Sequence, residues 1–82
     1  MAPQLADVDA AIFRACTARP YIVGWQLHIY QVTRQMETEL SQTETPERRD
    51  DLVRKWIKTF DALASLPVEQ RRAIARQELE AR

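Results

Sequence analysis

The prolines of this chain divide it into four segments. Three of them lie in its interior, at Pro20, Pro46 and Pro67. Because proline fits the first turn of a helix but breaks a helix interior, each of the three predicts the start of a helix. The chain has a single glycine, so glycine gives little further punctuation. The sequence therefore predicts four helical segments separated at or near these prolines.

The first and third segments have the clearest helical patterns. From Pro3 to Ala18, apolar residues recur at the spacing of one helical face. In the third segment Thr45 is a typical helix cap, and Pro46 follows it at the first helical position. Apolar residues then cover one broad face of that helix: Leu52, Val53, Trp56, Ile57, Phe60, Leu63 and Ala64.

The second segment, from Tyr21 to Ser41, is ambiguous at its start. Its main apolar stripe has helical spacing and comprises Ile22, Trp25, Ile29, Val32, Met36 and Leu40. Between residues 21 and 29 an apolar residue also stands at every second position, as in a β-strand, and the segment is rich in strand-favouring residue types. We favour a helix because the stripe continues to Leu40 and the chain offers no second strand. A strand over residues 21–30 would have to pair with another chain.

The fourth segment, from Pro67 to Arg82, has few apolar residues and should pack by a narrow edge. The loop Gln42 to Thr45 is short, so the second and third helices should be antiparallel neighbours. We therefore predict an all-α fold, a small bundle of three to four helices in a single domain over residues 1–82. The expected shared core comprises Trp25, Ile29, Met36, Trp56 and Phe60.

Composition excludes several classes of function. Twelve basic and twelve acidic residues give zero net charge, so the chain lacks the basic excess of a strong nucleic-acid binder. Cys16 is the single cysteine and His28 the single histidine, so we expect no disulfide, no metal site, no cofactor and no enzymatic activity. The least charged run, residues 20–33, is too short and polar to span a membrane. With no secretory signal visible, we expect a cytoplasmic protein.

The charges are unevenly distributed along the chain. Residues 1–43 carry three arginines and four acidic residues, whereas seventeen of the 24 charged residues lie in residues 44–82. Both parts are nearly neutral, so they differ in charge density rather than in sign. The first part should be the more buried, either within the fold or against a partner.

A second apolar face on the second helix is the best candidate for a functional surface. Off the main stripe lie Val23, Leu27 and Tyr30, followed by Arg34. A helix that is apolar on two faces is either central in its bundle or carries an interface. The first helix could cover this face, or another protein or a second copy of the chain could.

Tyrosine and arginine are enriched among the residues that anchor interfaces. We therefore expect a small non-catalytic protein that binds another protein, as an adaptor, regulator, inhibitor or accessory subunit, with homodimerisation as one form of this. The candidate partner-binding residues are Tyr21, Val23, Leu27, Tyr30 and Arg34.

The alternative hypothesis is a helical module that binds nucleic acid through its basic clusters. The residues for this are Arg48, Arg49, Arg71, Arg72 and Arg76. Acidic residues interleave with these clusters, which is more typical of a solvated helix face. We therefore rank nucleic acid below protein as the partner.

One short segment resembles a known family. Residues 62–74, Ala-Leu-Ala-Ser-Leu-Pro-Val-Glu-Gln-Arg-Arg-Ala-Ile, are similar to the opening of region 4 in bacterial sigma factors, where a helix begins with a leucine–proline step and a glutamine–arginine pair. The resemblance covers 13 of 82 residues. Such an opening is common to many helices, so we transfer no function from it.

Overall fold

A computed structural model describes residues 3–82, and within that range the chain forms four α-helices and no β-strand. The helices are α1 (Leu5–Cys16), α2 (Trp25–Ser41), α3 (Pro46–Ala64) and α4 (Val68–Glu80). The most extensive contacts join α1 to α3 and α2 to α4, while α2 also contacts α1 and α3. The fold is the small all-α bundle that the sequence predicts. Helices α2 and α3 are consecutive and in contact, but each of them packs more extensively on another helix.

The start of α3 confirms the prediction made from its capping residues. Thr45 has an extended backbone, and its hydroxyl oxygen accepts a hydrogen bond from the Arg48 backbone N–H at 3.3 Å. Pro46 occupies the first turn, where its missing N–H leaves no helical hydrogen bond unmade. The loop before it is short, and this holds the end of α2 beside the start of α3.

The start of α2 differs from the prediction. Neither a helix nor a strand begins at Pro20 or Tyr21. Residues 21 and 22 have no regular structure, residues 23 and 24 form a turn, and the helix begins at Trp25. Gly24 precedes the helix with a φ of 95°, in the left-handed region that glycine enters without steric cost. Tyr21 and Val23 therefore lie before α2 rather than on the helix itself.

The predicted aromatic core is confirmed. Trp25, Ile29, Met36, Trp56 and Phe60 all belong to one buried apolar cluster. Helix α1 adds three buried residues of its own, Val8, Ala11 and Ala15. The core thus lies between α1, α2 and α3, and it is filled by their apolar stripes.

Helix α4 packs closely on the turn that begins α2. A Cβ atom placed on Gly24 would lie 2.8 Å from the Ala75 carbonyl oxygen and 2.9 Å from Leu79 Cγ. The fourth helix otherwise buries little of itself, since Arg71 and Ala75 are its buried residues. It packs by a narrow edge, as its low apolar content indicates.

None of the helices in residues 3–82 has the length and apolar character required to cross a membrane.

Candidate functional site

The five residues predicted to bind a partner lie largely at the molecular surface. Tyr21, Val23 and Tyr30 are 72%, 64% and 57% exposed. Arg34 is also exposed, whereas Leu27 is half-buried. We call these five residues the candidate surface. Three large apolar side chains within ten residues are thus more solvent-exposed than buried, although the core beneath them is filled.

The two tyrosines of the candidate surface are linked through neighbouring side chains. Tyr21, Gln26 and Cys16 line the same open hollow of about 270 Å³. Tyr30 follows Gln26 by one helical turn, so their side chains lie side by side along α2. The Arg34 guanidinium carbon lies 5.9 Å from the centre of the Tyr30 ring. The surface therefore runs from the turn before α2 along its exposed side.

The helices that contact α2 do not cover this surface. Both α1 and α4 contact α2, and the sequence left open whether the first helix would bury the second apolar face. Tyr30 and Val23 remain more than half exposed beside these contacts, and Leu27 is the residue that becomes partly buried. Within residues 3–82, this side of α2 is thus left to solvent.

Three exposed large apolar residues of the described chain were not included in the predicted site: Leu5, Phe13 and Leu79. Leu79 is 43% exposed and lies against Gly24, next to Val23 in the chain. Phe13 on α1 is also exposed, at 67%. Cys16 is half-buried, and this burial raises the pKa of its thiol. The apolar spacing of α4 does not fix how that helix packs on α2, so the sequence could not predict the exposure of Leu79.

Arg71 corrects the alternative, nucleic-acid-binding site. It is 1% exposed and therefore cannot reach a phosphate backbone. Its guanidinium donates hydrogen bonds to the carbonyl oxygens of Ala18 at 3.1 Å and Arg19 at 3.3 Å. It also lies over the Trp25 ring, 4.8 Å from the ring centre. Burial lowers the pKa of Arg71.

The other four arginines of that alternative site are exposed. Arg48 and Arg49 lie in the first turn of α3, and Arg72 and Arg76 lie on α4. Arg48 also lines an open hollow of about 570 Å³, together with the acidic Glu39 and Glu44. Mixed charge around Arg48 agrees with the expectation of a solvated face.

His28 joins α2 to α4. Its Nδ1 lies 2.9 Å from a carboxylate oxygen of Glu78, and both side chains are half-buried. The imidazole also lies beside Trp25, with the two ring centres 5.6 Å apart. These contacts hold the position of α4 against α2.

Glu39 links α2 to α3. Lys55 follows Asp51 by four residues, a spacing that allows an ion pair on a helix, but its amino group donates to Glu39 at 3.0 Å. The Trp56 indole N–H donates to the same carboxylate oxygen at 3.1 Å. The hydrogen bond from Lys55, with further help from Trp56, lowers the pKa of Glu39. Asp51 instead faces Arg54, at 3.7 Å.

Within the part of the chain that the structure describes, no three His, Cys, Asp or Glu side chains come together as metal ligands could. Comparison with protein-family models, with curated proteins and with solved structures finds no match to this chain. The candidate surface is therefore interpreted from its own geometry.

Proposed function

We propose that this protein works by binding another protein through the candidate surface, without catalysing a reaction. It would act as an adaptor, regulator, inhibitor or accessory subunit, and its expected location is the cytoplasm. The observation that carries the proposal is the exposure of Tyr21, Val23 and Tyr30 beside a filled core. Exposed apolar side chains that group together are typical of interfaces, whereas scattered ones need no explanation.

The residue types of the surface support the same proposal. Tyrosine and arginine supply large contact areas and hydrogen bonds, and they are enriched among the residues that dominate binding energy. Arg34 already lies beside Tyr30, so the two side chains form one mixed apolar and charged group. Such a group suits the rim and centre of a protein interface.

Affinity capture with three forms of the chain tests the proposal. The bait is the native sequence, the variant Tyr30→Glu, or the matched control Phe13→Glu, which also replaces an exposed aromatic residue by glutamate but lies on α1. We expect at least one protein to be retained by the native chain and by Phe13→Glu and to be lost with Tyr30→Glu. If the captured proteins are the same for all three baits, the candidate surface does not bind them.

A further inference from the structure

The candidate surface lies in a stretch of the chain without acidic residues. Between Ala10 and Met36 the sequence has three arginines and neither aspartate nor glutamate. Arg14 is paired with Asp61 at 3.0 Å, so its charge is compensated within the fold. Arg19 and Arg34 are exposed, and neither has a carboxylate within 4.0 Å among residues 3–82. Two uncompensated positive charges therefore belong to this stretch.

Each of these two arginines lies beside one of the exposed tyrosines. Arg19 and Tyr21 line the same hollow at the end of α1. Arg34 lies by the Tyr30 ring. The first acidic residue beyond them is Glu37, one turn after Arg34, and it forms no ion pair with Arg34. The apolar patch is thus flanked along the chain by two arginines without ion-pair partners, while Glu78, which α4 brings beside α2, is bound to His28.

A second copy of the chain matches this surface poorly. In a two-fold symmetric pair each residue approaches the same patch of the other copy. Residues 10–36 of that copy offer Arg19 and Arg34 no carboxylate, and arginines brought close to each other across an interface oppose binding. Nucleic acid is likewise a weaker match, because its affinity grows with the number of phosphates neutralised and this surface offers two cations.

We infer that the partner segment is acidic: its apolar side chains contact Tyr21, Val23 and Tyr30, and its aspartate or glutamate residues face Arg19 and Arg34. This inference rests on the proposed protein-binding function and adds the chemistry of the partner. Burial of the apolar side chains supplies affinity, while complementary charge favours encounter and selects among apolar segments.

Titration with three synthetic peptides tests the inference. Each peptide has about 16 residues and the same leucine positions at helical spacing, and the polar positions are filled with glutamate, glutamine or lysine. Binding is followed by shifts in the amide NMR spectrum of the full chain. We expect the glutamate peptide to bind about tenfold more tightly than the glutamine peptide at low salt, with shifts centred on residues 19–34, and the lysine peptide to bind most weakly. The preference should shrink at about 500 mM salt, where exposed charges are screened.

Charge-reversal variants connect that preference to the two arginines. The double change Arg19→Glu and Arg34→Glu should abolish the preference for the glutamate peptide. The control Arg49→Glu, in the first turn of α3, should retain it. Equal binding of the glutamate and glutamine peptides at low salt would overturn the inference and leave the protein-binding proposal standing. Absence of binding by every peptide would also overturn the inference, whereas the capture experiment with Tyr30→Glu decides the proposed function separately.

Light scattering tests for a second copy of the chain at this surface. Self-association of the native chain that Tyr30→Glu removes would show that a second copy occupies the surface, and it would contradict the inference.

Discussion

The guanidinium of Arg71 lies over the Trp25 ring, with its central carbon 4.8 Å from the ring centre. The same arginine donates to the carbonyl oxygens of Ala18 and Arg19, just beyond the end of α1. Trp25 completes the arrangement, because its indole N–H donates to the carbonyl oxygen of Ala15 at 2.8 Å. The carbonyl groups at the end of α1 are thus satisfied by side chains from α2 and α4. Polar contacts hold α4 in place where its apolar residues are few.

Replacing Arg71 by alanine should lower the free energy of unfolding by about 2–4 kcal/mol. The change removes the contact with Trp25 and leaves the carbonyl oxygens of Ala18 and Arg19 without their donor. Urea denaturation followed by circular dichroism measures the loss. The neighbouring exposed residue gives the control, since Arg72→Ala should change stability by no more than about 0.5 kcal/mol. Equal stability of the two variants would show that Arg71 does not hold α4.

Gly24→Ala should destabilise the chain by about 2–4 kcal/mol. A φ of 95° imposes a cost of about 1–2 kcal/mol on a residue with a side chain, and the new Cβ would press against Ala75 and Leu79. Adding Leu79→Ala should recover part of the loss, because one of the two close contacts is then removed. The close contact with the Ala75 carbonyl oxygen remains in the double variant. A melting temperature fully restored to that of the native chain would therefore contradict this contact.

Glu39 should make the stability depend on pH in the acid range. Because its pKa is lower in the folded chain than its ordinary value of 4.5, its ionised form favours folding. This contribution is complete above pH 4.5 and is lost as the pH falls through the lower, folded-state pKa. The stability difference between the native chain and Glu39→Gln should therefore be larger at neutral pH than in strong acid. Denaturation midpoints of both proteins across this range measure it, and a difference that does not change with pH would be the contrary result.

Neighbouring residues of α2 should respond in opposite ways to substitution. Ile29 is fully buried, so Ile29→Ala should cost about 2–5 kcal/mol of stability. Tyr30 is more than half exposed, so Tyr30→Glu should change stability by no more than about 0.5 kcal/mol. Urea denaturation of the two variants compares them directly. Unfolding of the chain by Tyr30→Glu would identify this face as core and remove it as a binding surface.

Local sequence signals predicted the parts of the fold that depend on local chemistry. Thr45 and Pro46 define the start of α3 because capping and proline geometry act within a few residues. The apolar stripe of α2 likewise predicted the burial of Trp25 and Ile29, since helical spacing fixes which side chains share a face.

Contacts between distant segments account for what the sequence did not predict. Gly24 lies in close contact with α4, and this contact joins residues about fifty positions apart. Arg71 was assigned to the surface because arginine is normally exposed, but the end of α1 supplies carbonyl groups that accept its hydrogen bonds. The exposure of Tyr30 also depends on where α1 and α4 pack on α2. The spacing of apolar residues along α2 therefore could not predict whether Tyr30 is buried or exposed.

Site-specific photo-crosslinking in cells is the most direct test of the candidate surface. A photoreactive phenylalanine analogue replaces Tyr30 in one form of the full chain and Phe13, the exposed aromatic residue of α1, in another. If α2 carries the binding surface, irradiation should join position 30 to a distinct second protein, and position 13 should not give that product. The same products from both positions, or none from position 30, would contradict the assignment of function to this surface.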